Sequence, residues 1–208
     1  MKPRPCVISV ADHAGWAHVV CVAAPDGVPA VLERRRLTLI ERGLPTMPYH
    51  HESLALPVDA ANALIARVRG SIEACSSGAL GALVAELASS YTIVALAIRQ
   101  PPFPELPESV TAVRASYPLQ CAADGMMYQL ALCRAARELG LEVHLFRRGQ
   151  EAARAADRLG VTTDAIQSFV SGRGRPAGPP WTEEHRRAFA CGIATLSING
   201  DRLRISVS

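Results

Sequence analysis

Lysine is almost absent from this chain of 208 residues. Lys2 is the only one, and the other 21 basic residues are arginines. Aromatic residues are scarce too, at 5%. No apolar run approaches the roughly 20 residues that cross a bilayer, so no membrane partner is expected. The six cysteines form no CxxC pair, which argues against a zinc knuckle or a disulfide framework. They are expected to be buried free thiols, as suits a reducing compartment. No Walker loop, GxGxxG or GxSxG is present, which removes the common nucleotide-loop and serine-hydrolase signatures. The short lead-in Met1–Pro5 precedes a strand-like run too short for a signal peptide. The expectation is a soluble, cytoplasmic protein.

What is present is an ordinary globular composition, 49% hydrophobic and 20% charged. That is enough for one domain over residues 1–208 with a real core. The net charge of +3 is too small to argue nucleic-acid binding by itself. The arginine bias suits bidentate phosphate contacts, but a GC-rich genome would produce it as well.

Residues 6–11 and 16–24 read as strands around Gly15. Pro25-Asp26-Gly27 is a turn, and 29–40 is a third strand, so the opening is an antiparallel meander. A loop rich in breakers runs from Gly43 to Pro57. Asp59 caps a helix over 60–74, and Cys75 to Gly81 reads as a loop of small residues before a further short helix. The unalternating apolar run from Tyr91 to Ile98 suits a strand covered on both faces. After the proline segment at 100–104, a short helix is expected over 107–116. Asp124 opens a helix over 125–139, closed by Gly140. A strand over 141–146 and helices over 150–159, 164–171 and 182–196 follow. The Asn199-Gly200 dipeptide suggests a terminal hairpin over 197–207.

This order resembles the ribonuclease H-like fold, and particularly its RuvC-type resolvase branch, across residues 6–197. The resemblance rests on element order and on acids at corresponding places. It implies an α/β protein whose mixed sheet, a three-strand antiparallel meander plus two parallel strands, is covered by helices. It also implies DNA or RNA as partner, leaves room for a homodimer, and brings phosphodiester hydrolysis with two divalent ions, Mg2+ or Mn2+. Such ions sit roughly 4 Å apart and neutralise the attacking and leaving oxygens, and they require hard oxygen ligands.

Asp12, in Ala11-Asp12-His13-Ala14-Gly15, matches the first carboxylate of that pattern. It also suits an Asx-turn acid. The fourth strand departs from the pattern, because Gln100 stands where a glutamate is expected, and Glu105 lies five residues on. Near the start of the last helix, Glu184 and His185 match the third place. Thr182 reads as the N-cap there, and the acids of a first turn also serve the helix dipole. Asp124, Glu52, His50 and His51 are further candidate ligands, with imidazole favouring manganese, iron or zinc over magnesium. Asp12, Glu184, His185 and Asp124 are thus the candidate catalytic residues. Asp12, Glu52, His50, His51, Asp124 and His185 are the candidate metal set. Arg147, Arg148, Arg173, Arg175, Arg186 and Arg187 are the candidate phosphate contacts. Two other readings stay open. One is a catalytically inactive relative that serves as a nucleic-acid or protein-interaction module. The other is a nucleotide-binding domain of the actin or sugar-kinase type, against which Gly15 comes one place late for a phosphate turn.

Overall fold

The computed structural model describes residues 4–103, 105–172, 178, 180–198 and 203–205. Strands β1 (Arg4–His13), β2 (Trp16–Ala23) and β3 (Ala30–Thr38) form the expected meander. Helix α1 (Val58–Leu87) leads to β4 (Tyr91–Arg99). Helices α2 (Val110–Arg114) and α3 (Tyr117–Glu138) then precede β5 (Glu142–Phe146). Helices α4 (Glu151–Leu159), α5 (Thr163–Gly172) and α6 (Glu183–Ile198) complete the order. The sheet runs β3-β2-β1-β4-β5, with β1 parallel to β4 and β4 parallel to β5.

Residue alternation along the strands builds two cores. Cys6, Ile8 and Val10 of β1, with Leu96 and Ile98 of β4, pack against α1 and α3. Val7, Val20, Val22, Ala95 and Ala97 face α4, α5 and α6 on the other side. Helix α6 lies so close to the sheet that a Cβ on Gly192 would stand 2.4 Å from Val22 Cγ2. No helix among the described residues is long and apolar enough to cross a membrane.

Three expectations are corrected. Cys75 to Gly81 is not a loop but the middle of α1. Its buried Ser76, Leu80 and Leu83 continue the face begun by Ala61, Ile65, Val68 and Ile72, so tertiary packing overrides the weak helix preference of small residues. Asp124 does not open a helix. It lies two turns inside α3, which starts at Tyr117 with Pro118 in its first turn. Cys121 is exposed and Cys75 half-buried, whereas Cys6, Cys21, Cys133 and Cys191 are buried as expected. Arg173, Arg175 and most of the 197–207 segment lie outside the described residues, although α6 extends to Ile198.

The β1–β2 turn is held tightly. Gly15 has φ +89°, and a Cβ there would meet Thr46 Cγ2 at 2.8 Å. Leu39 N–H donates to Gly15 O, and the Tyr128 hydroxyl donates to Thr46 O, both at 2.9 Å. Thr46 is thus packed on the turn.

Candidate functional site at the carboxyl edge of the sheet

The carboxyl ends of β1, β4 and β5 share one edge of the sheet, and α4 and α6 begin there. Ligands of open parallel sheets bind in this position. A cleft of about 320 Å³ opens at the edge, lined by Asp12, His13, Arg99, Arg148, Glu151, Glu184 and Arg187, among others. It shares Arg99 and Arg148 with a second cleft of about 620 Å³, whose wall also carries Gln100, Cys121 and Arg147. It shares Glu151 and Arg187 with a third, of about 350 Å³, which adds Arg186. The first two clefts thus adjoin the strand ends, and the third lies among α4, α5 and α6.

Asp12 lines the first cleft, with its side chain only 4% exposed. Its Oδ2 accepts from Arg99 Nη2 at 3.0 Å and from Gln129 Nε2 at 2.9 Å. Gln129 belongs to α3 and is itself buried; its Oε1 has no hydrogen-bond partner among the described residues. Turning that amide over would set its oxygen against a carboxylate, so the donor assignment follows from the network.

His13, the next residue along β1, faces the other side of the sheet. Its Nε2 lies 2.9 Å from Glu184 Oε1 of α6. His18 Nε2 lies 4.0 Å from the other carboxylate oxygen. The His13 ring stacks on Trp16 at 3.9 Å, and Arg36 covers Trp16 at 4.2 Å. His18 leans on His185 at 4.2 Å, and His185 stacks on Trp181 at 5.6 Å. His185 Nδ1 accepts from the Thr182 amide at 3.1 Å and lies 2.7 Å from the Thr182 hydroxyl. Burial, then the neighbouring His18 and Arg34, hold the His185 pKa down at about 4, although Glu184 opposes them. Burial also lowers that of His18.

Asp124 serves a different purpose. Its two oxygens accept the backbone amides of Tyr49 and His50, each at 3.0 Å, so it anchors the loop between β3 and α1 onto α3. Burial raises its pKa to about 6, against the pull of the two amide bonds. His50 contacts Cys121 Sγ through Nδ1 at 3.4 Å and packs against His51 and Tyr117. Glu52 is exposed in a short turn, Glu52–Ala55.

The expected convergence of Asp12, Glu52, Asp124 and His185 is therefore not found. Among the described residues, no three His, Cys, Asp or Glu side chains are grouped to hold a metal ion. Alternation along β1 sends Asp12 toward α3, while α6 with its acids covers the opposite face. The Asp12 oxygen that would take a cation already has a guanidinium at 3.0 Å, and Gln100 supplies no second charge. This arrangement does not fit a two-ion centre. Of the arginines, Arg147 and Arg148 are exposed after β5. Arg186 donates to Trp181 O at 3.3 Å, and Arg187 pairs with Glu183. Arg99 and Gln129 were the partners not foreseen. Arg99 had a sequence signal, as the single charge closing an otherwise apolar strand run.

No family model matches the chain, and no curated protein matches it. Solved structures do. A Thermus thermophilus RuvC structure superposes with a TM-score of 0.52 at 12% identity, covering 93% of this chain and 95% of that one. A structure of T. thermophilus RuvC in complex with Holliday junction substrate gives 0.51 at 13% identity, covering 93% and 94%. At these identities the likeness concerns architecture, and the chain has the ribonuclease H-like fold in the arrangement seen in RuvC.

Proposed function

We propose that this protein binds nucleic acid along the arginine-lined edge of its sheet and does so without metal-dependent hydrolysis. The observation that carries this reading is the pair of clefts at the carboxyl ends of the parallel strands that share Arg99 and Arg148 and add Arg147 and Arg187, with Arg186 in a third cleft among α4, α5 and α6. A guanidinium fork pairs with phosphate oxygens whatever the sequence. Several along adjoining clefts suit a backbone better than a single small anion. The structural likeness to a RuvC bound to a Holliday junction makes branched DNA the first substrate to try. Among the described residues no three His, Cys, Asp or Glu side chains are grouped to hold a metal ion, which favours binding over a nuclease.

The test is fluorescence anisotropy with a four-way junction, a duplex and a single strand. Arg148→Glu and Arg187→Glu should each weaken binding by at least tenfold, and each should lower the salt dependence by about one phosphate contact. Unchanged affinity in both variants would remove the proposed edge. Mn2+-dependent cleavage lost in Asp12→Asn would replace the binding reading with a catalytic one.

A further inference from the structure

Asp12 lies at the carboxyl end of the central strand with its carboxylate almost fully covered. A buried carboxylate is costly unless a cation and hydrogen bonds compensate it. Here the compensation comes entirely from the chain. Arg99 supplies a guanidinium charge and Gln129 a neutral donor. A divalent ion reaching the same oxygen would have to expel the guanidinium first. Meanwhile Arg99 is 36% exposed and lines both the first and the second cleft. A guanidinium carries five N–H donors, and the bond to Asp12 engages Nη2.

We infer that Arg99 is the resident cation of this site and its central phosphate-binding group, with Asp12 as the positioning residue that aims it. The second half of this inference rests on the nucleic-acid reading above; the first half does not. Asp12 restrains Arg99 as well as orienting it, because carboxylate and phosphate compete for one guanidinium. Removing the carboxylate charge therefore frees the cation for phosphate. With Mn2+ present, a metal-ligand Asp12 would give the opposite sign.

The experiment has three arms. In the first, wild-type protein alone is titrated with Mn2+ by calorimetry and melted in Mn2+ and in EDTA. No saturable heat and equal melting temperatures are expected; saturable binding that disappears in Asp12→Asn overturns the internal cation. In the second, a thermal double-mutant cycle uses Arg99→Gln, Asp12→Asn and the pair. Arg99→Gln should lower the Tm by several degrees, and adding Asp12→Asn should recover most of the loss, because the buried charge is gone. Additive losses overturn the pairing.

In the third arm, nucleic-acid affinity is measured in EDTA. Asp12→Asn should bind roughly threefold to tenfold more tightly, and Arg99→Gln more weakly with a salt slope reduced by about one. In the Arg99→Gln background, Asp12→Asn should give no gain. A gain of the same size there would show general charge removal rather than release of Arg99, and would overturn the positioning role. If no form binds nucleic acid, the phosphate role and the parent reading both fall, while the first two arms still decide whether Arg99 is the cation.

Discussion

Acid should loosen the start of α6, and His185 should be the reason. His185 is 1% exposed, its ring accepts from Thr182 and packs on His18 and Trp181, and the charges of Arg34 and Glu184 act on it. Folding lowers its pKa from 6.5 to about 4. Between those values the unfolded chain binds a proton that the folded chain refuses, so stability rises with pH. The contribution is fully present above pH 6.5 and is lost as pH falls toward 4. A drop of that size corresponds to roughly 3 kcal/mol, or on the order of 6–12 °C in Tm for a domain this large.

Asp124 works in the opposite direction. Its pKa rises from 3.8 to about 6, so the folded chain holds the extra proton and stability falls as pH rises across that window. In the wild type the two largely cancel between pH 4 and 6. Urea unfolding at pH 4.5, 5.5, 6.5 and 7.5 separates them. The stability difference between wild type and His185→Gln should shrink by roughly 2–3 kcal/mol from pH 7.5 to 4.5. Asp124→Asn should lay bare the slope that His185 contributes. A wild-type-to-His185→Gln difference independent of pH would refute the reasoning. Since α6 carries Glu184, Arg186 and Arg187 to the clefts, the same acidification should weaken the edge before it unfolds the core.

Two further outcomes are expected. Gly192→Ala forces a Cβ to 2.4 Å from Val22 Cγ2 and 2.9 Å from Ser9 Oγ, and overpacking against a sheet costs about 1–3 kcal/mol; a melting temperature equal to wild type would contradict the close approach of α6. Cys121 is exposed beside His50 Nδ1, so brief iodoacetamide treatment should add one label per folded chain by intact mass, and none in Cys121→Ser; faster labelling elsewhere would contradict the burial described.

The fold was legible because its cues are local and repeated. The Gly15 and Pro25-Asp26-Gly27 turns mark the meander, and the unalternating run from Tyr91 to Ile98 marks a strand with helices on both faces. Helix α1 was harder. Ser76, Ser77, Gly78 and Gly81 look like loop residues, and only the packing of Leu80 and Leu83 shows otherwise. The site was legible in its place more than in its chemistry. Asp12 could be located at the end of β1. That its partner is Arg99, at the end of a parallel neighbour, depends on strand order. That Gln129 completes the pair depends on where α3 crosses the sheet. Asp124, His50, His51 and Glu52 lie close in kind to a metal set, yet a carboxylate receiving two backbone amides has the same residue type as one awaiting an ion. Sequence spacing does not distinguish the two.

The most direct measurement is the binding isotherm of wild-type protein for a labelled four-way junction, recorded once in EDTA and once in Mg2+. An arginine-lined edge with its own cation predicts saturable binding in EDTA, with affinity falling steeply as salt rises and an intact junction at the end of both incubations. Binding that requires Mg2+, or strand cleavage that appears with it, would contradict the account.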